Sequence, residues 1–227
     1  EINGAITEIP NSIFERCLKL SNLQIPNSAI TTIGMTAFLQ CQNLTSFNLP
    51  DTIEEIGYMS FLGSGLTSID LNKPVLHTIN NSAFNDAPLT TVTLSDSITT
   101  IGTQCFRGCS EITSLHIGTG LTELTEGIFR SCSKITTVNI PSNITKIETY
   151  AFTECSSLES ITGMNGLTTL ENEVFFNCYK LNEITLPTTL TTIDPDAFKN
   201  SRVDTFNVPA SVLTLSLIHI SEPTRRP

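Results

Sequence analysis

Apolar residues recur along this chain in two alternating rhythms. In Leu44-x-x-Phe47-x-Leu49 the last two apolar side chains alternate at period two. That predicts a strand with one buried face, with Ser46 and Asn48 directed outward. In Ala37-Phe38-x-x-Cys41-x-x-Leu44 the spacing is three, which predicts a short helical or 3-10 turn on the opposite side. Pro50 closes the strand at its edge, where no internal ladder bond is lost. Ile30-x-x-Ile33 supplies a connecting arm. Gly34, Gly57 and Gly102 follow this arm in three copies, where the chain is expected to turn.

The whole phrase occurs nine times, with its phenylalanines at Phe14, Phe38, Phe61, Phe84, Phe106, Phe129, Phe152, Phe175 and Phe198. A period near 23 residues predicts a solenoid, because one coil is too thin to bury its own apolar side and must stack on its neighbours. The expected architecture is a parallel β-sheet on one face, with short helical turns and loops on the other. At about 4.8 Å per coil the stack would extend roughly 40 Å. No linker or charge block interrupts the phase, so residues 1–214 are read as one domain. Three copies carry Ser64, Ala87 or Ser201 in place of Cys, and in each the next apolar residue (Leu66, Leu89, Val203) arrives one position early. Gly163 replaces the last strand apolar residue of its copy, which is expected to weaken or bulge that strand.

The segments LTSFNLPDTIEEIGYMSF, ITTVNIPSNITKIETYAFTEC and LNEITLPTTLTTIDPDAF resemble the BspA-like subfamily of leucine-rich repeats. The match runs from residue 2 to about 214, with Pro26, Pro50, Pro141, Pro187 and Pro209 where other leucine-rich repeats carry an Asn ladder. The resemblance implies a horseshoe or gently curved solenoid of leucine-rich-repeat type. It also implies a surface protein of bacteria or protists, often an adhesin that binds host proteins or other cells, with some members intracellular. It implies no catalytic residues. The chain starts inside a repeat, as a fragment of something longer would. Phase fails after Val212, and Leu215 to Arg225 reads LSLIHISEPTR, which resembles a translated sequencing-library adapter. Residues 215–227 are therefore expected to be a non-native tail.

Composition narrows the partners. With 12 Lys+Arg against 22 Asp+Glu the net charge is -10 and no basic cluster is present, so nucleic acid and anionic lipid are disfavoured. No stretch approaches the roughly 18 apolar residues of a membrane span, so no direct membrane insertion is expected. Charged residues make up only 15%, leaving Thr, Ser and Asn as the main polar surface.

Candidate chemistry is sparse. Of seven cysteines, Cys17, Cys41, Cys109, Cys132, Cys155 and Cys178 share one repeat position, and Cys105 replaces the small residue before Phe106. An odd total, six of them in a single column of small core positions, reads as free buried thiols rather than a disulfide framework or zinc site. There is no P-loop, G-x-G-x-x-G or H-E-x-x-H, so no catalytic, cofactor-binding or metal residues are assigned and no enzyme is expected. Asn43, Asn80 and Asn143 head glycosylation sequons. The remaining candidate is the outward strand face: Ser46, Asn48, Ser68, Asp70, Thr91, Thr93, Ser114, His116, Thr137, Asn139, Ser160, Thr162, Glu183 and Thr185. The neighbouring Thr45, Thr67, Thr90, Thr113 and Thr136 extend it. The face lacks Trp, Tyr and Arg, so it predicts weak contacts multiplied over many repeats. These features predict a non-catalytic protein-binding module on a cell surface or secreted, with an extracellular-matrix or cell-surface protein as partner. A cytoplasmic scaffold, or the targeting region of a larger enzyme, is the alternative.

Overall fold

The computed structural model describes residues 6–25, 29–203 and 207–215. Each coil runs from a two-residue strand through a tight segment carrying the repeat phenylalanine, then into the expected strand. The expected strands form one column, here called the face column. Its members are Ser46–Phe47, Ser68–Ile69, Thr91–Thr93, Ser114–His116, Thr137–Ile140, Ser160–Gly163 and Glu183–Ile184. All of its pairings are parallel and in register, as in Thr91↔Ser114 and Thr137↔Ser160. They form runs of two, two and three strands rather than one continuous sheet.

The connecting arm itself forms a second column of parallel strands, the flank column, in two five-stranded sheets. It links Glu8–Ile9, Thr32–Ile33, Glu55–Ile56, Thr78–Ile79 and Thr100–Ile101, and then Glu123–Leu124 through Lys146–Ile147, Thr169–Leu170 and Thr192–Ile193 to Thr214–Leu215. From Glu8–Ile9 to Thr192–Ile193 each strand is one outward polar residue and one buried Ile or Leu, too short for a period-two signal to emerge. The expected domain limit at 214/215 falls within the last of these strands, and the rest of the stretch resembling an adapter lies outside the described residues.

The segment expected to be helical is not. No helix occurs among the described residues. Alternate amides leave the coil: Ser12 N, Phe14 N and Arg16 N donate to Met35 O, Ala37 O and Leu39 O of the next coil at 2.9, 2.9 and 2.7 Å. The amides between them close local turns, as Glu15 N does on Ser12 O at 3.1 Å. With half its donors bonded to the neighbouring coil, the segment cannot complete the i→i−4 ladder of a helix. It winds instead as successive β-turns with left-handed residues four apart, such as Thr36 and Gln40 at φ 52° and 57°. Inward side chains still recur every three or four residues, which is why the spacing imitates a helix.

Two columns of side chains fill the core. The nine repeat phenylalanines stack ring on ring, with centroids 5.0 to 5.8 Å apart. Each stacked pair contributes about 0.5–1.5 kcal/mol beyond the burial of its area. Beside them runs the thiol column. Cys41, Cys109, Cys132, Cys155 and Cys178 donate to the carbonyls of Phe14, Phe84, Phe106, Phe129 and Phe152 of the preceding coil at 3.0 to 3.2 Å. All seven cysteines are free and six are buried; Cys17 is exposed, contrary to the expectation for its column, because no described coil covers it.

Two glycine expectations change. The chain does turn at Gly57, whose carbonyl accepts from Ser60 N at 3.3 Å, but what demands glycine there is space: a Cβ would lie 2.5 Å from Ile33 O of the preceding coil. Gly163 neither bulges nor shortens its strand, which keeps register with Thr137–Ile140 through Ile140↔Gly163. Gly163 takes φ 83°, and the following Met164 is fully buried, so the core loses no apolar contact.

Candidate functional site

The face column carries the sequence-predicted residues. Ser46, Ser68, Thr91, Thr93, Ser114, His116, Thr137, Asn139, Thr162 and Glu183 are exposed on its strands, and Ser160 is half-buried. Asn48, Asp70 and Thr185 are exposed one residue past a strand end. The apolar residues between them point inward: Val92, Val138 and Ile161 are buried. The structure therefore brings the candidates onto one surface, coil after coil.

It also removes some from service. Thr67, Thr90 and Thr113 donate their hydroxyls to Thr45 O, Thr67 O and Thr90 O at 3.2, 3.2 and 3.3 Å. These threonines stitch successive coils together. Asp70 is engaged as well. Its carboxylate lies 3.1 Å from Lys73 Nζ and accepts from Asn72 N at 3.0 Å. The lysine contact, then the backbone bond, holds its acid below the usual carboxylate range despite some desolvation. Lys73 also reaches Asp51 at 3.2 Å. Thr162 Oγ1 lies 3.2 Å from Asn139 Oδ1.

One part of the face is concave. Ser160, Ile161, Thr162, Asn182, Glu183, Ile184 and Thr185 surround an open hollow of about 380 Å³. It forms where pairing stops. The ladder between Ser160–Gly163 and Glu183–Ile184 holds only Ser160↔Glu183 and Ile161↔Ile184, whereas the preceding one continues for two more residues. Thr162 and Thr185 are left unpaired across the gap. Over the residues that line it the apolar/polar pattern carried no sign of it, because Ser160-Ile161-Thr162 and Glu183-Ile184-Thr185 alternate alike.

The flank column holds a charge network that the sequence reading missed. Lys146 Nζ lies 2.9 Å from Glu148 Oε1 and 2.8 Å from Glu171 Oε1. The carboxylates turn their other oxygens to the backbone: Glu126 N donates to Glu148 at 2.9 Å and Thr149 N to Glu171 at 2.9 Å. The bonds to Glu171 and Glu148 raise the Lys146 pKa, and the lysine and backbone bonds lower that of Glu171 against its desolvation. The available signal was a Lys two residues before Glu148 with a second Glu one period later.

Of the sequon asparagines, Asn43 is exposed. Asn80 Nδ2 instead donates to Glu55 Oε1 at 2.7 Å, and Asn143 Nδ2 to Thr119 O at 2.9 Å, so the amides of these two are committed within the stack. Among the described residues no group of three or more His, Cys, Asp or Glu is arranged to hold a metal ion, and no helix is long and apolar enough to cross a membrane.

A parallel stack of Phe-centred coils with one continuous polar strand face defines a repeat solenoid of the leucine-rich kind. A family model described as a BspA type leucine rich repeat region, in six copies, matches residues 7–124 and 77–205, and the chain belongs to that family. Among curated proteins no sequence matches. Solved structures share the fold. A leucine-rich repeat protein from Bacteroides ovatus aligns at TM-score 0.63 and 20% identity over 94% of this chain and 78% of that one. A leucine rich cell surface protein from Faecalibacterium prausnitzii aligns at TM-score 0.55 and 24% identity over 80% of this chain and 57% of that one.

Proposed function

We propose that this chain is a non-catalytic protein-interaction module of a cell-surface protein, binding a surface-exposed or extracellular-matrix protein along its face column. The observation that carries the reading is the repetition of exposed hydroxyl and amide side chains in register, from Ser46 to Thr185. Repetition turns weak single contacts into useful avidity without a central aromatic anchor. The description of the Faecalibacterium relative as a cell surface protein supports the location. The test is a binding screen against immobilised matrix and cell-surface proteins, with an unrelated solenoid as reference. Signal above the reference, lost in a Thr91→Arg/Thr137→Arg variant, supports the proposal; no signal above it counts against the proposal.

The free state of all seven cysteines favours a second reading, an intracellular scaffold that uses the same face. Fractionation of cells producing the full protein separates the two: recovery in the surface or secreted fraction supports the first, and recovery in the soluble cell interior the second.

A further inference from the structure

We infer that the hollow between Ser160–Gly163 and Glu183–Ile184 is a receptor for one long cationic side chain, the Lys or Arg of a basic segment on the partner protein. The inference rests on the reading of the face column as the binding surface and names the partner chemistry at one point on it.

The hollow has the two parts such a side chain needs. Its lining is mostly polar; Ile161 points into the core, and the half-buried Ile184 is the apolar surface left for the methylenes of a lysine or arginine stem. Its charge is a single carboxylate. Glu183 is exposed and has no ion-pair or hydrogen-bond partner for its carboxylate among the described residues. The adjacent cation does not compensate it, since Lys180 Nζ is directed to Glu159 at 3.8 Å. Glu183 thus differs from Asp70, the other acid of the predicted face, which is already held by Lys73. Around it the Ser160, Thr162 and Thr185 hydroxyls and the Asn182 amide oxygen are acceptors for the remaining N–H groups of an ammonium or guanidinium. The stop in the ladder after Ile161↔Ile184 supplies the opening, because a continued strand pair would close it. The surrounding chain carries net charge -10, which draws a basic segment towards this surface at low salt.

The test is a titration of the 15N-labelled chain with N-acetyl-argininamide, followed by amide shifts, with N-acetyl-citrullinamide as the neutral analogue of matching shape. Saturable shifts are expected at Ser160–Thr162 and Asn182–Thr185. They should weaken about tenfold for the citrulline compound and for Glu183→Gln. Glu183 is exposed, so the variant is expected to fold, and its unchanged spectrum elsewhere checks that. Shifts scattered over the acidic surface, or an affinity equal in wild type and Glu183→Gln, overturn the inference. If Glu183→Gln binds a matrix or surface protein normally while Thr91→Arg/Thr137→Arg does not, the hollow is excluded and the face reading stands. If neither substitution alters binding, the face reading fails with it.

Discussion

At the scale of single residues, the thiol column shows why Cys occupies its position. The S–H reaches the preceding coil's Phe carbonyl at 3.0 to 3.2 Å. Ser64 stands in the same column, in a copy with the shortened turn, and its buried Oγ has no hydrogen-bond partner among the described residues. Ser64→Cys is therefore expected to stabilise the chain by about 1 kcal/mol, and Cys132→Ser to destabilise it by about 1–2 kcal/mol, both read from urea midpoints. Burial also sets an alkaline limit. Desolvation pushes the Cys155 thiol from 9.0 up to about 12. Below pH 9.0 the proton stays on in both folded and unfolded forms, and the stabilisation from the buried thiol is complete. Above it the unfolded chain ionises first, so stability should fall by up to about 1.4 kcal/mol per pH unit for this thiol until about pH 12. Urea midpoints from pH 8 upward should decline less steeply in Cys155→Ala. Equal slopes would show that the thiol does not carry the effect. The sequence placed the cysteines in the core, but their hydrogen bonds depend on the stagger between coils, which no spacing within one coil reveals.

At the scale of elements, the expected strand held and the expected helical turn did not. Period-two alternation at Phe47 and Leu49 reports burial directly, and both are 4% exposed. The spacing of three in Ala37-Phe38-x-x-Cys41 reports only which side chains point inward, a property that successive β-turns share with a helix. The deciding fact is where amides such as Thr36 N go, here to Tyr58 O of the next coil at 2.8 Å. The flank column was hidden for a simpler reason: a pair such as Thr32–Ile33 is too short to alternate. Gly163 tests the element account. A Cβ there would lie 2.1 Å from Ile140 O, and the residue sits at φ 83°. Gly163→Ala is expected to cost about 1–3 kcal/mol and to release the amides that pair Thr137–Ile140 with Ser160–Gly163, measured by chemical denaturation and hydrogen exchange. Retention of both stability and protection would mean that the close approach is relieved cheaply.

At the scale of the whole molecule, a solenoid is a series of neighbour interfaces, and its weakest interface opens first. Between the Phe106 and Phe129 coils neither column has a strand pairing. The coils join there through the turn segments, with Phe106 N on Ile128 O at 3.0 Å and Gly108 N on Arg130 O at 2.8 Å, and through the stacked rings. The Phe106 and Gly108 amides should therefore exchange faster than those of Phe129 and Ser131, which occupy the same positions one coil on. Equal protection would deny a weak junction. The fold was legible in the sequence because nine copies average out local irregularity. The site was legible only as a surface: alternation identifies what faces outward, but the engagement of Asp70 by Lys73 and the hollow beside Glu183 arise from contacts between coils. The central claim, that this outward face is the interaction surface, is tested most directly by comparing two pairs of arginine substitutions at exposed strand positions, one pair on each column. Thr91→Arg/Thr137→Arg alters the face column and Thr100→Arg/Glu123→Arg the flank column, and binding of each to a protein identified in the surface-protein screen is measured beside wild type. The account predicts that the face pair abolishes binding while the flank pair retains it; equal loss in both, or loss only in the flank pair, would contradict it.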